Sequence, residues 1–107
     1  MSNTVEQATS EFLTAKNGHQ IEKAADTLCR LADVASSDAL LSRLGERVVQ
    51  EDADVEDAVC SALVSLGLMT KLGNQRFRFL EKQVMTASAQ SLVFDKHLQS
   101  LPRRYFE

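Results

Sequence analysis

The chain has 107 residues, of which 44% are hydrophobic and 25% are charged, with one proline and four glycines. This length fits one domain, and the composition excludes an intrinsically disordered chain. Few helix breakers predict a mainly helical fold. Apolar runs stay below the roughly 20 residues that span a bilayer, and the N-terminal stretch lacks the basic and apolar regions of a signal peptide. We therefore expect a single cytoplasmic domain outside the membrane.

The net charge of -3 is unevenly distributed along the chain. Residues 1–54 contain 5 basic and 10 acidic side chains, a balance of -5, and residues 55–107 contain 7 basic and 5 acidic ones, a balance of +2. A polyanion would therefore meet the second half of the chain.

Two helices are predicted at the N-terminus, over residues 4–35. The first covers Thr4–Lys16, where apolar residues recur at three- and four-residue steps. Asn17-Gly18 ends it, because both residues tolerate a left-handed backbone. The second covers His19–Ala35 on the same kind of apolar stripe.

Capping residues mark the next two predicted helices. Ser36-Ser37-Asp38 offers short side-chain oxygens to a helix that begins near Ala39. Gly45 either ends this helix or is tolerated inside a longer one, at a cost of about 1 kcal/mol relative to alanine. Asp54 is the predicted N-cap of the following helix, Val55–Leu66.

A β-hairpin is predicted directly after this helix. Gly67 fits the position just past a helix C-terminus. The apolar spacing then changes, and Leu68–Leu72 and Gln75–Leu80 flank the turn signal Gly73-Asn74. In the second strand Phe77 and Phe79 alternate with two arginines, which is typical of a half-buried strand.

The last predicted helix covers Lys82–Ser100, and Pro102 stops it. Its apolar arc is wide for a surface helix and has two interpretations. The helix either packs entirely on its own domain or pairs with its twin in a homodimer, which is the interpretation we favour. The predicted dimer or partner interface consists of Leu92, Phe94, Leu98 and Leu101.

The order of helix, turn, helix and hairpin resembles the winged-helix (winged helix-turn-helix) superfamily. The resemblance implies a winged-helix-like core over about 38–81, flanked by the N-terminal helices 4–35 and the C-terminal helix 82–101, in one domain, 1–107. The matching residues form the segment Val55-x-x-Ala58-x-x-x-Ala62-Leu63-x-x-Leu66-Gly67-Leu68, followed by Lys71 and Arg76-Phe77-Arg78-Phe79.

One feature departs from the superfamily's pattern. The second motif helix of such regulators presents basic or amide side chains to DNA, whereas this helix begins with carboxylates that repel phosphates. Any nucleic-acid contact is therefore expected from the wing, unless its cations only solvate the strand and protect an exposed edge. The acidic residues are Glu51, Asp52, Asp54, Glu56 and Asp57, and the candidate contacts are Lys71, Arg76, Arg78 and Lys82.

Catalytic and metal-binding signatures are weak. Cys29 and Cys60 are expected to be free buried thiols. His19 and His97 have no partner at metal-ligand spacing, apart from the nearby Asp95 in the second case. We therefore expect no cofactor, no metal and no enzymatic activity.

Two function classes fit these observations. The first is a small, dimeric winged-helix DNA-binding transcriptional regulator that holds phosphates with its wing. The second is a non-enzymatic protein–protein interaction module, an adaptor or accessory subunit, that uses the same scaffold without nucleic acid.

Overall fold

The computed structural model describes residues 4–31, 34–74, 76–80 and 94–106. Within these residues the chain is mainly helical with one antiparallel hairpin, as predicted. None of the described helices has the length and apolar character needed to cross a bilayer. The elements are α1 (Thr4–Thr14), α2 (Gly18–Leu31), α3 (Val34–Leu44), α4 (Arg47–Glu51), α5 (Ala53–Ser65), β1 (Met69–Gly73), β2 (Arg76–Phe79) and 3-10 helices at Leu98–Ser100 and Arg103–Phe106.

Helix α5 is the centre of the molecule. It contacts α2, α3, α4 and β1, and α1 packs on α2 and α3. Burial of apolar surface is the main stabilising contribution in a domain of this size. The buried residues of α5 are Val55, Val59, Cys60, Ala62 and Leu63.

Arg43 of α3 holds the C-terminal end of α1. Its guanidinium donates hydrogen bonds to the carbonyl oxygens of Phe12 and Ala15, the latter at 3.0 Å, and lies 5.6 Å from the Phe12 ring centroid. The side chain is 5% exposed and also contacts Glu46, at 3.2 Å. Helix α1 ends at Thr14, two residues before the predicted end at Lys16.

The boundary between the second and third helices differs from the prediction. Helix α2 ends at Leu31 rather than at Ala35, and α3 already begins at Val34. Ser36 and Ser37 therefore lie inside a helix instead of capping one, and both are fully buried. Burial of this part of α3 among its neighbouring helices overrides the preference of serine for helix ends.

The capping of α5 also differs from the prediction. Gly45 does end the third helix, which was one of the two alternatives, but the short helix α4 follows it. The N-cap of α5 is Asp52 rather than Asp54, since the Asp52 carboxylate accepts the backbone N–H groups of Asp54, at 3.0 Å, and Val55, at 3.3 Å. Asp54 instead lies in the first turn, where a carboxylate suits the helix dipole.

Gly67 ends α5 as predicted, with a φ of 82° in the left-handed region. The Leu68 N–H donates to the Leu63 carbonyl and the Gly67 N–H to the Val64 carbonyl, each at 3.0 Å. This is the Schellman arrangement, and the buried Leu63 and Leu68 supply its usual apolar contact. It turns the chain directly from α5 into the hairpin.

The predicted hairpin is confirmed, with one shift in its turn. Gly73 belongs to β1 and pairs with Arg76, so the turn lies one position later than Gly73-Asn74. The register also shifts between Lys71 and Gly73. Phe77 and Phe79 are buried, as the alternation in the sequence indicated.

The C-terminal helix predicted over Lys82–Ser100 is described only in its last part. Residues 94–97 are α-helical, and Leu98–Ser100 is a 3-10 helix that ends before Pro102. The prediction for residues 81–93 lies outside the described residues.

We expect Arg43→Ala to lower the free energy of unfolding by about 2 to 4 kcal/mol, because it leaves two buried carbonyl groups without their charged donor. Urea denaturation followed by circular dichroism measures the effect. Arg47→Ala is the matched control: this side chain is 88% exposed in its ion pair with Glu51, and its loss should cost less than about 1 kcal/mol. Equal losses in the two variants would contradict the role assigned to Arg43.

Candidate functional site

The four candidate nucleic-acid contacts do not form one surface. Arg76 and Arg78 are exposed on the outer face of the hairpin, where Arg78 pairs with Thr70. Lys71 pairs with Phe77 and therefore lies on the opposite face, with its ammonium group 5.9 Å from the Phe77 ring centroid. Lys82 lies outside the described residues.

The helix in the position of a base-reading helix, α5, has little free surface. On one side, Glu56 and Cys60 are covered by the C-terminal residues Arg104 and Tyr105. Cys60 is a free thiol and is fully buried, as predicted. The other side borders α2 in an acidic groove of about 240 Å³, which is lined by Glu22, Asp26, Cys29, Asp57, Ala58, Ser61, Ala62 and Ser65.

A polar network attaches the chain's last residues to α5. Arg104 and Tyr105 both donate hydrogen bonds to the carboxylate of Glu56, whose side chain is 12% exposed. Arg104 also donates to Gln50, and the Gln50 amide donates to the Tyr105 hydroxyl at 3.3 Å. The network thus holds Tyr105 against the body of the domain.

The environment of this network keeps the Tyr105 phenol and the neighbouring Cys60 thiol protonated. Burial, together with the hydrogen bond to Glu56, raises the pKa of the Tyr105 phenol, which therefore stays a neutral donor. Burial, reinforced by the charge of Glu56, raises the pKa of the Cys60 thiol to about 12. A buried, protonated thiol lacks the thiolate character that a nucleophilic cysteine requires.

A second polar contact, between α3 and residues 94–97, was not predicted. The His97 Nε2 lies 2.6 Å from the Asp38 carboxylate, and the Lys96 Nζ lies 3.5 Å from it. The hydrogen bond to His97 holds the pKa of Asp38 below its ordinary value, and Lys96 contributes to this shift. Asp38 and His97 are 59 residues apart in sequence, so no spacing rule connects them.

Four aromatic rings join the hairpin to the C-terminal residues. Phe79 of β2 is the common partner: its ring centroid lies 5.0 Å from Phe94, 6.0 Å from Tyr105 and 5.2 Å from Phe106. Tilted and edge-on pairs at such distances contribute beyond simple area burial. We call residues 94–106, held by this cluster and by the two polar contacts, the C-terminal segment.

An apolar groove of about 610 Å³, the C-terminal groove, opens on the surface of this segment. It is lined by Leu98, Gln99, Leu101, Arg103 and Phe106.

The groove contains two of the four residues predicted as a dimer or partner interface. Leu98 is 43% exposed at its edge, and Leu101 is 7% exposed. Phe94 is also only 7% exposed, since it packs within its own chain, and Leu92 lies outside the described residues. Within the described residues, the predicted interface residues therefore do not form one continuous exposed apolar stripe.

A second apolar groove, of about 440 Å³, runs along α1. It lies between α1 and the start of α3, and Leu13, which is 46% exposed, borders it. Its lining residues are Val5, Glu6, Thr9, Ser10, Leu13, Thr14 and Ala35.

Within the described residues, no group of three or more histidine, cysteine, aspartate or glutamate side chains is arranged to hold a metal ion. No protein-family model, curated protein or solved structure matches the chain. The winged-helix resemblance therefore stays a prediction, and any function has to be argued from the surfaces described above.

We expect Gly45→Ala to loosen the C-terminal segment, because an added Cβ would lie 2.6 Å from the Ser100 carbonyl oxygen. The loss of unfolding free energy should be about 1 to 3 kcal/mol. Gly73→Ala is the control, since a Cβ there meets nothing within 4 Å, and it should change stability by no more than about 0.5 kcal/mol. The close approach would be disproved if urea denaturation gave both variants the same stability.

Proposed function

We propose that this chain is a non-enzymatic protein–protein interaction module, an adaptor or accessory subunit, that binds its partner through the C-terminal groove. The observation behind the proposal is the exposure of Leu98 and Phe106, 43% and 41%, along one apolar groove. Apolar side chains gathered in a groove favour binding of another surface more than scattered ones do.

The order of this groove before binding also supports the proposal. Phe106 contacts the rings of Phe79 and Phe94, so its position is set before any partner arrives. An aromatic anchor that is already ordered loses little conformational entropy on binding.

A charged residue in the groove should abolish partner binding. We expect immobilised wild-type protein to retain a specific partner from an extract of its own cells, and Leu98→Asp to lose it. Val48→Asp is the matched control, because Val48 is 40% exposed but lies in α4, outside both apolar grooves. Circular dichroism shows that each variant is folded, and light scattering shows whether the retained partner is a second copy of the chain.

The proposal fails if every protein retained by the wild type is retained equally by the folded Leu98→Asp variant. It also fails if Val48→Asp removes the same partners, because a general effect of added charge would then explain the loss.

DNA binding through the hairpin is the second candidate. Residues 69–80 contain three cations and no carboxylate, in a chain whose net charge is -3. Among the described residues, Arg76 and Arg78 have no ion-pair partner. Unpaired cations on the exposed face of a hairpin favour contact with phosphates. This candidate is weaker than the first, because α5 begins with acidic residues and Arg104 covers the side of α5 that carries Glu56.

A gel-shift assay on random duplex DNA at low salt tests the second candidate. If the hairpin binds phosphates, the wild type shifts the duplex, higher salt weakens the complex, and the double variant Arg76→Ala/Arg78→Ala fails to shift it. The double variant Lys16→Ala/Lys23→Ala makes the same change in net charge on the exposed surface of the acidic half and should bind like the wild type. Absence of any wild-type shift at low salt would rule out this function.

A further inference from the structure

The C-terminal groove combines apolar anchors with a cation of its own. Leu98 and Phe106 provide exposed apolar surface, and Leu101, which is 7% exposed, also lines the groove. Arg103 lines the same groove and is exposed. A ligand that fills this groove therefore meets apolar contacts and a guanidinium group at once.

The cation in the groove is available to a partner. Arg104, its neighbour, is bound to Glu56, whereas Arg103 makes no ion pair among the described residues. An unpaired guanidinium beside an apolar surface favours binding of a carboxylate, because its N–H donors can bind both carboxylate oxygens at once.

The neighbouring strand leaves this charge to Arg103. The 3-10 helix Arg103–Phe106 packs against the Phe79 side of β2, and the alternation of the strand places the exposed residues Arg76 and Arg78 on its opposite face. The positive charge in the lining of the groove therefore comes from Arg103. A guanidinium at this position attracts acidic partners and disfavours basic ones.

We propose that the C-terminal groove binds an acidic amphipathic segment of a partner protein. Apolar side chains of that segment contact Leu98 and Phe106, and a carboxylate on its polar face pairs with Arg103. This inference rests on the proposed interaction function and adds the chemistry of the partner. A helix whose apolar face enters a groove is an established mode of peptide recognition.

A pair of synthetic peptides tests the proposal on the full chain. The first is a fluorescently labelled amphipathic helix with leucine on one face and glutamate on the other, and the second has lysine in place of glutamate. Fluorescence anisotropy should show that the wild type binds the glutamate peptide and binds the lysine peptide at least about tenfold more weakly. Binding of the glutamate peptide should weaken as salt rises.

Variants assign the binding to the groove. Arg103→Glu should weaken binding of the glutamate peptide at least about tenfold. Lys23→Glu, the same charge reversal at an exposed position of α2, should leave it nearly unchanged. Leu98→Asp should weaken binding as well, and circular dichroism confirms that each variant is folded.

Four outcomes would overturn the proposal. The first is that the wild type does not bind the glutamate peptide, and the second is that it binds both peptides equally. The third is that Arg103→Glu and Lys23→Glu have equal effects. The fourth is that light scattering shows a dimer that Leu98→Asp dissociates, since the groove would then be occupied by a second copy.

The failure of this inference is distinguishable from that of the proposed function. A natural partner that is lost by Leu98→Asp but kept by Arg103→Glu would support the interaction module and exclude the acidic partner. A partner that both variants retain would exclude the groove both as the site of the interaction module and as the site for an acidic segment.

Discussion

The carboxylate of Glu56 accepts hydrogen bonds from both Arg104 and Tyr105, and this contact fixes the last turn of the C-terminal segment on the central helix. Glu56 belongs to the central helix α5 and is only 12% exposed, so its charge has lost most of its water. A buried carboxylate without partners would be strongly destabilising, so Glu56 needs the hydrogen bonds that Arg104 and Tyr105 donate. With Tyr105 held there, its ring meets Phe79, and the aromatic cluster that shapes the C-terminal groove is complete.

The same contact changes what α5 can do. In the arrangement that the sequence resembles, this helix would offer a free face to a nucleic-acid groove. Here the C-terminal segment covers the side of α5 that carries Glu56, and the other side of α5 borders an acidic groove. Exposed apolar and basic groups occur together on the C-terminal segment and the hairpin, and a further apolar groove lies along α1. The distribution of surface chemistry thus favours contact with a protein over base reading in a groove of DNA.

Local sequence rules predicted the parts of the fold that depend on local interactions. Gly67, with its left-handed backbone, and the alternation of Phe77 and Phe79 with arginines are determined by neighbours along the chain. The capping rule failed at Ser36 and Ser37, because burial of this part of α3 outweighs a weak local preference. It selected Asp54 instead of Asp52 because the acidic run offers several suitable carboxylates within a few residues.

The candidate site was harder to predict, since its contacts connect distant parts of the chain. Leu98 is exposed, but its role at an interface stays a prediction. Arg104 and Glu56 are 48 residues apart, and no periodicity links them. The partner of His97 was sought near it in sequence, whereas Asp38 approaches it from α3. Lys71 was grouped with Arg76 and Arg78 by charge, but the strand register places it on the other face of the hairpin. Composition alone does not contain such pairings.

The burial of Cys60 beside Tyr105 means that the chain contains its own reporter of local opening. The thiol is fully buried, whereas Cys29 is partly exposed, so an alkylating reagent distinguishes the two positions within a single molecule. Cys60 is alkylated only in molecules whose C-terminal segment has moved away or whose domain has unfolded, and the modification rate therefore measures the population of those states. A ligand seated on the segment would slow this rate at Cys60 and leave Cys29 as the internal standard.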